Sequence, residues 1–194
     1  MKKTAKMILE KPFPRTVALV GMMGVGKTTM GRRLAPKLGL KFCDADAEIE
    51  EASKMTVSHL FAAHGDAAFR DGEAQVIKRL IDGPAHVLAT GGGAMLNPKT
   101  RALILENCVG LWLKSDLDTL LRRATRRPTR PLLQNGNPRE TISRLLQERE
   151  PLYAQVPIHV VSRSGPPSRT VDAMVDALLA YADKHPSILK EIGE

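Results

Sequence analysis

The stretch Val17-Ala-Leu-Val-Gly-Met-Met-Gly-Val-Gly-Lys-Thr-Thr29 joins a short apolar run to the pattern G-x-x-x-x-G-K-T. The apolar residues 17–20 predict a buried β-strand. Glycines at 21, 24 and 26 allow the backbone to turn sharply and to bring its N–H groups against phosphate oxygens. A helical pattern follows, so the positive end of a helix dipole should face the same anion. This order predicts a nucleoside triphosphate site.

The residue types in this loop indicate how a nucleotide and a metal would be bound. The predicted ATP contacts are Gly24, Val25, Gly26, Lys27, Thr28 and Thr29. Lys27 is expected to reach the β- and γ-phosphates, and the Thr28 hydroxyl is expected to bind Mg²⁺. The alternative is a glycine-rich turn without a ligand. Average residue usage produces this pattern by chance in about one chain in a hundred of this length, which favours the nucleotide site.

Composition restricts the class of protein. The 194 residues fit a single domain, 1–194, and 43% hydrophobic residues are enough for a core. The net charge of +8 is compatible with nucleic acid, a membrane surface or small acidic substrates. No apolar run is long enough for a membrane span or a signal sequence. The two cysteines lack disulfide or metal-ligand spacing, which is typical of buried free thiols in a reducing cytoplasm.

Strand-like and helical patterns alternate along the chain. Strands are predicted to begin near residues 17, 40, 85, 109 and 158, with helices between them and after the last. The alternation predicts an α/β fold, a three-layer sandwich with a five-stranded parallel sheet covered on both faces. Ligands then bind at the carboxyl ends of the strands. Residues 1–14 are expected to be a loose leader, 183–194 a tail, and 128–137 a mobile loop.

Capping signals predict where the later helices begin and end. Ser115 is expected to cap a helix that continues to about residue 127. Asn137 is expected to cap a helix to about residue 147, with Pro151 stopping it. Ser168 or Thr170 is expected to open the last helix.

Two acidic residues and three glycines follow predicted strands. Asp44 and Asp46 stand one residue apart, and extended geometry would point both carboxylates the same way. A kinase needs one carboxylate near Mg²⁺ and one near the acceptor hydroxyl, whereas the plain alternative is a polar strand end. Residues 91–93 are all glycine, which leaves backbone open to a close ligand unless the segment is simply a flexible turn.

Arginines supply much of the excess positive charge. Five of them lie between residues 122 and 130, and they fit either a nucleic-acid patch or a lid that stabilises a transferring phosphoryl group. No aromatic residue is interleaved in the run, which favours the lid, with Arg130 as its candidate. By position alone, Arg70 is expected to be solvated and Arg149 to complement a helix dipole.

Together these residues resemble the shikimate kinase family, over roughly residues 15–182. The motifs that carry the resemblance are the phosphate-binding loop, Phe42-Cys-Asp-Ala-Asp46, Phe69-Arg70, the glycines 91–93, Arg130-Pro-Leu-Leu133 and Arg149-Glu-Pro-Leu-Tyr153. The resemblance implies a P-loop fold like that of the nucleoside-monophosphate kinases, with a mobile lid around residues 122–137. It also implies ATP-dependent phosphorylation of the 3-hydroxyl of shikimate, on the route to chorismate and the aromatic amino acids.

The resemblance implies a role for each matched residue. Shikimate would be held by Asp46, Arg70, Gly91, Gly92, Gly93 and Arg149, with the two arginines on its carboxylate. Asp46 would orient the acceptor hydroxyl and is a candidate to take its proton, while Thr28 and Asp44 would hold Mg²⁺. Lys27 and Arg130 would neutralise charge on the transferring phosphate. The implied partners are shikimate and ATP, without nucleic acid or membrane, and a monomer is expected.

Two other functions stay open at this level. Another small-metabolite kinase of the same fold, such as a gluconate kinase, would not be expected to combine the triple glycine with Arg149-x-Pro-Leu-Tyr. A basic nucleotide-binding regulator or nucleic-acid-binding module would use the +8 charge. It would leave Asp44, Asp46 and the glycines unexplained, and its mark would be steeply salt-dependent oligonucleotide binding.

Overall fold

A five-stranded parallel sheet forms the centre of the computed structural model, which describes residues 12–124, 137–162 and 165–189. The strands in chain order are β1 (Val17–Val20), β2 (Lys41–Asp44), β3 (His86–Ala89), β4 (Val109–Lys114) and β5 (Ile158–Val161). Their order across the sheet is β2-β3-β1-β4-β5, and every neighbouring pair is parallel. All four residues of the central strand β1 are fully buried, as its unbroken apolar sequence predicts.

Helices connect the strands and pack on the sheet. In the described ranges they are α1 (Lys27–Lys37), α2 (Ala45–Ser53), α3 (Val57–Ile81), α4 (Pro98–Asn107), α5 (Leu117–Ala124), α6 (Pro138–Tyr153) and α7 (Pro167–Lys184). Short 3₁₀ turns occupy Ala94–Leu96 and Pro186–Leu189. The predicted α/β fold with a five-stranded parallel sheet between helices is therefore confirmed. None of the helices in the described ranges is long and apolar enough to cross a bilayer.

The sheet register brings the segments of interest together. Ala89 of β3 pairs with Leu19 of β1 on one side and with Asp44 of β2 on the other. Because these three strands are parallel, the segments that follow them leave the same edge of the sheet. The phosphate-binding loop, the pair Asp44 and Asp46, and the glycines 91–93 therefore meet at one site.

Two helices begin at other residues than the sequence predicts. Asp116 rather than Ser115 accepts the capping hydrogen bond at the start of α5, from the Thr119 N–H at 2.7 Å. The last helix begins with Pro167 at its first position, ahead of Ser168 and Thr170, because the fixed φ of proline suits the first helical turn.

Helix α6 also runs beyond its expected end. Asn137 caps it through the Arg139 N–H, as predicted, but the helix continues through Pro151 to Tyr153. Proline removes only one hydrogen bond so close to a helix end. The buried Arg149 and Tyr153 hold this last turn against the body of the protein.

The two ends of the described chain are more ordered than their composition predicts. Phe13, expected in the loose leader, is fully buried, and its N–H donates to the Leu38 carbonyl at 2.9 Å. Near the other end, Ile188 and Leu189 pack against the main core. The cysteines are free, as expected, but they are half-buried rather than buried. Residues 125–136, which make up most of the expected lid and include Arg130, lie outside the described ranges.

Candidate active site

The phosphate-binding loop has the backbone that its glycines permit. Gly21, Gly24 and Gly26 have φ angles of 137°, 82° and 105°, a region that side chains disfavour. Gly26 is the N-cap of α1, so the unpaired N–H groups of the first helical turn face the loop. Lys27 is 8% exposed, and its ammonium donates to the carbonyls of Gly21 at 2.6 Å and Met22 at 3.1 Å. The loop therefore surrounds a buried positive charge, as an anion site requires.

Thr28 and Asp44 meet beside this loop. The Thr28 hydroxyl donates to Asp44 Oδ2 at 2.7 Å, and Asp44 Oδ1 accepts the Asp46 N–H at 3.2 Å. The pair offers a hydroxyl and a carboxylate, oxygen ligands of the kind that Mg²⁺ prefers. No group of three or more His, Cys, Asp or Glu side chains in the described ranges forms a metal centre. These residues therefore fit Mg²⁺ only in the manner of kinases, where phosphates and water complete the coordination.

Asp46 reaches the site by a different route from the one expected. Extended geometry does not persist to residue 46, because α2 begins at Ala45 and Asp44 caps it. Asp46 is exposed as a whole residue, yet the protein around its carboxyl group raises its pKa. Loss of surrounding water is the main cause, the charge of Asp44 is the second, and Lys27 opposes both. The raised pKa makes this carboxylate a better proton acceptor than an ordinary aspartate.

The three glycines are required for space rather than for unusual backbone angles. A Cβ added at Gly91 would lie 2.7 Å from Glu73 Oε1 and 3.0 Å from Asp46 Oδ1. One added at Gly92 would lie 3.1 Å from the backbone nitrogen of Met23 in the phosphate-binding loop. At Gly93 the added atom would collide with the Arg70 guanidinium, 2.7 Å from its Cζ. Each glycine thus lets a different part of the site approach the same short segment.

Arg70 is a held side chain and not the solvated one that its position on a helix predicts. Its side chain is 14% exposed, and Nη1 donates to Glu73 Oε2 at 2.7 Å. Its Nε lies 3.3 Å from an Asp66 carboxylate oxygen. The guanidinium carbon lies 5.3 Å and 5.2 Å from the ring centres of Phe61 and Phe69. Contacts on several sides fix this cation beside Gly93.

Glu73 is a site residue that the sequence analysis did not identify. Its side chain is fully buried, and Oε1 has no hydrogen-bond partner in the described ranges. Burial raises the pKa of Glu73, while the charge of Arg70 opposes the shift. Its spacing from Arg70 is the i,i+3 spacing of a helical ion pair, which is the signal that would have found it.

Arg149 also contacts the glycine segment. It is 6% exposed, and its Nη1 donates to the Gly92 carbonyl at 3.1 Å. The same carbonyl accepts a hydrogen bond from the Tyr153 hydroxyl. Arg149 Nε is buried and has no hydrogen-bond partner in the described ranges. An arginine that only complements a helix dipole would be exposed to solvent. A buried guanidinium with an unpaired nitrogen is instead typical of a cation that binds an anionic ligand.

Arg123 contacts the nucleotide side of the site. Its Nη1 donates to the Val25 carbonyl at 3.1 Å and to the Ser162 hydroxyl at 3.2 Å. At least one residue of the arginine-rich run therefore faces the phosphate-binding loop rather than solvent. Arg130, the residue of the run chosen from the sequence, is not among the described residues.

Comparisons with known proteins agree with this geometry. The sequence model of the family described as shikimate kinase matches residues 23–179. A shikimate kinase of Bradyrhizobium diazoefficiens is 51% identical over 90% of this chain and 84% of its own length. One of Rhodopseudomonas palustris is 52% identical over 86% and 82%. The structure of shikimate kinase from Acinetobacter baumannii in complex with shikimate superposes with a TM-score of 0.84, at 34% identity over 91% of this chain and 98% of that one.

Proposed function

Since the chain belongs to the shikimate kinase family, we propose that it transfers the γ-phosphoryl group of ATP to the 3-hydroxyl of shikimate, giving shikimate 3-phosphate and ADP. The observation that carries the proposal is the placement of two arginines, the partly buried Arg70 and the buried Arg149, against the glycines 91–93. Such a pair suits a small acceptor with a carboxylate, bound next to a phosphate-binding loop. The product would lead to chorismate and the aromatic amino acids.

On the nucleotide side, we assign ATP to the loop that includes Gly24, Val25, Gly26, Lys27, Thr28 and Thr29. The buried Lys27 ammonium and the N–H groups at the start of α1 support this assignment. Lys27 would hold the β- and γ-phosphates and neutralise charge that grows during transfer. Arg130 is assigned the same task from the lid side, on the strength of its Arg-Pro-Leu-Leu motif alone.

Thr28 and Asp44 are the residues that would hold Mg²⁺ in this assignment. Their oxygens lie 2.7 Å apart and face the phosphate-binding loop. When bound, the ion neutralises phosphate charge and orients the γ-phosphoryl group.

On the acceptor side, Arg70 and Arg149 would bind the carboxylate, and the glycines 91–93 would let the ring approach the backbone. Asp46 would orient the 3-hydroxyl and take its proton as the hydroxyl oxygen attacks the γ-phosphorus. The bond between that phosphorus and the β,γ-bridging oxygen breaks, and ADP leaves with the electron pair. The raised pKa of Asp46 supports this role.

The proposed roles require no residue from a second copy of the chain, and a monomer stays the expectation. The two free thiols, Cys43 and Cys108, support a reducing compartment, the cytoplasm. The basic charge then serves ATP and an acidic acceptor, without nucleic acid as a partner.

A coupled ADP-release assay with Mg-ATP tests the proposal. Shikimate, gluconate and nucleoside monophosphates are compared as acceptors, and only shikimate is expected to give turnover. Lys27→Ala should lower turnover strongly, whereas Lys37→Ala should not, because Lys37 ends the same helix in an exposed ion pair with Asp172. Arg130→Ala should also lower turnover. Turnover with another acceptor, or none from folded protein that still binds ATP, would contradict the proposal.

A further inference from the structure

We infer that Tyr153 is a positioning residue for the acceptor site, acting through the Gly92 carbonyl and Arg149. The inference rests on the proposed function and adds a residue to it. Tyr153 is 1% exposed, and its hydroxyl donates to the Gly92 carbonyl. Because burial raises the pKa of this phenol to about 12, the hydroxyl stays protonated and remains a donor.

The Gly92 carbonyl accepts hydrogen bonds from two donors, Arg149 and Tyr153, and one of them has a second role. Arg149 Nη1 donates to it at 3.1 Å, but Arg149 is also the cation assigned to the acceptor carboxylate. When a guanidinium forms two parallel hydrogen bonds to a carboxylate, it loses hydrogen bonds to its other acceptors. If Arg149 were the sole donor, this loss would leave a buried carbonyl unpaired, and that state is costly.

The Tyr153 hydroxyl removes this cost. It keeps the carbonyl paired while Arg149 turns to the ligand, and it holds Gly92 in place beside Met23. The ring is fixed as well, since its centre lies 5.9 Å from that of Trp112 and its oxygen lies 3.8 Å from the Met22 sulfur. The unpaired Nε of Arg149 is the second sign that its hydrogen bonding is incomplete without a ligand.

The test variant is Tyr153→Phe, which removes only the phenol hydroxyl. Calorimetry on the full chain measures the binding of shikimate, of its uncharged methyl ester and of Mg-ATP. Shikimate binding should weaken by about three- to tenfold, the effect of one net hydrogen bond. Binding of the ester and of Mg-ATP should change by less than about twofold, because neither uses the carboxylate grip of Arg149. The KM for shikimate should rise with the same ratio while kcat changes little.

Two controls separate positioning from general damage. Tyr181→Phe removes the hydroxyl of the other tyrosine, which lies in α7 with its ring centre 4.4 Å from that of His185, and should leave all three affinities unchanged. Incorporation of 3-fluorotyrosine at position 153 keeps a hydroxyl and should retain shikimate binding. Unchanged shikimate binding in Tyr153→Phe, or equal losses for shikimate, ester and Mg-ATP, would overturn the inference. Failure of the wild-type chain to phosphorylate shikimate would instead contradict the proposed function.

Discussion

Replacing Gly93 by alanine should damage acceptor binding selectively, because the three atoms nearest to the new methyl group all belong to the Arg70 guanidinium. The added Cβ would lie 2.7 Å from the Arg70 Cζ and closer still to Nη2, whereas ordinary contacts begin at 3.4 Å, so the guanidinium must move by more than about 0.7 Å. It cannot move freely. Glu73 holds Nη1 at 2.7 Å, and Phe61 and Phe69 lie beside the guanidinium.

The expected rise in the KM for shikimate follows from the hydrogen bond between Arg70 and the acceptor carboxylate that the variant would weaken. A hydrogen bond from a charged donor contributes about 1.5–3 kcal/mol, which corresponds to a factor of roughly 10–150 in affinity. The KM for shikimate in Gly93→Ala should therefore rise at least about tenfold, while the KM for ATP stays near its wild-type value. Initial rates from coupled ADP release, with each substrate varied in turn, measure both constants.

Gly72→Ala is the matched control for this experiment. Gly72 lies two residues from Arg70 in α3, and a Cβ there meets nothing within 4 Å. The same methyl addition should leave both KM values unchanged and stabilise the helix by about 0.5–1 kcal/mol. A wild-type KM for shikimate in Gly93→Ala would show that Arg70 does not bind the acceptor.

Three further predictions concern separate parts of the protein. Asp46→Asn should lower kcat more than it weakens ATP binding. A wild-type kcat in the variant would remove Asp46 from the mechanism. Because the Asp46 pKa is raised and the base acts only when deprotonated, wild-type turnover should fall with decreasing pH, with a midpoint above the usual aspartate pKa of 3.8. Phe13→Ala should lower the free energy of unfolding by about 3–5 kcal/mol in urea titrations, since Phe13 is fully buried, and a loss below about 1 kcal/mol would show that residues 12–14 are a loose leader after all. Loss of surrounding water raises the pKa of the half-buried Cys108 thiol to about 12, so roughly one molecule in ten thousand carries the thiolate at pH 8. A thiol reagent should therefore modify Cys108 much more slowly in the native protein than in urea, and equal rates would contradict the raised pKa.

The sequence predicts the sheet and the nucleotide loop because both are encoded locally. The apolar run 17–20 and the glycines after it require no distant partner to be interpreted. Phe13 was mistaken for part of a leader because its burial depends on Leu38, which lies far from it in sequence. Helix α6 passes Pro151 because long-range contacts of Arg149 and Tyr153 outweigh a local helix-breaking signal.

The acceptor site is harder to predict from the sequence, because it also depends on contacts between residues that are distant along the chain. The glycines 91–93 indicate a close approach but not what approaches, and only the folded chain shows that Glu73, Met23 and Arg70 do. The motif around Arg149 marks that residue through the family resemblance, whereas nothing local distinguishes it from a helix-end arginine. Glu73 and Tyr153 were missed because their importance lies in contacts with Arg70 and Gly92, which a linear pattern does not contain.

If Arg70 and Arg149 select an acceptor that carries a carboxylate, a thermodynamic cycle should show the coupling between arginine and carboxylate. Binding of shikimate and of its methyl ester is measured for the wild-type chain and for Arg149→Ala, with Arg144→Ala, an exposed ion-pair partner of Glu148 in the same helix, as control. Esterification and Arg149→Ala should each weaken binding by at least about tenfold, and the two losses should not be additive, while Arg144→Ala should bind like the wild type. Fully additive losses would show that Arg149 does not bind the carboxylate.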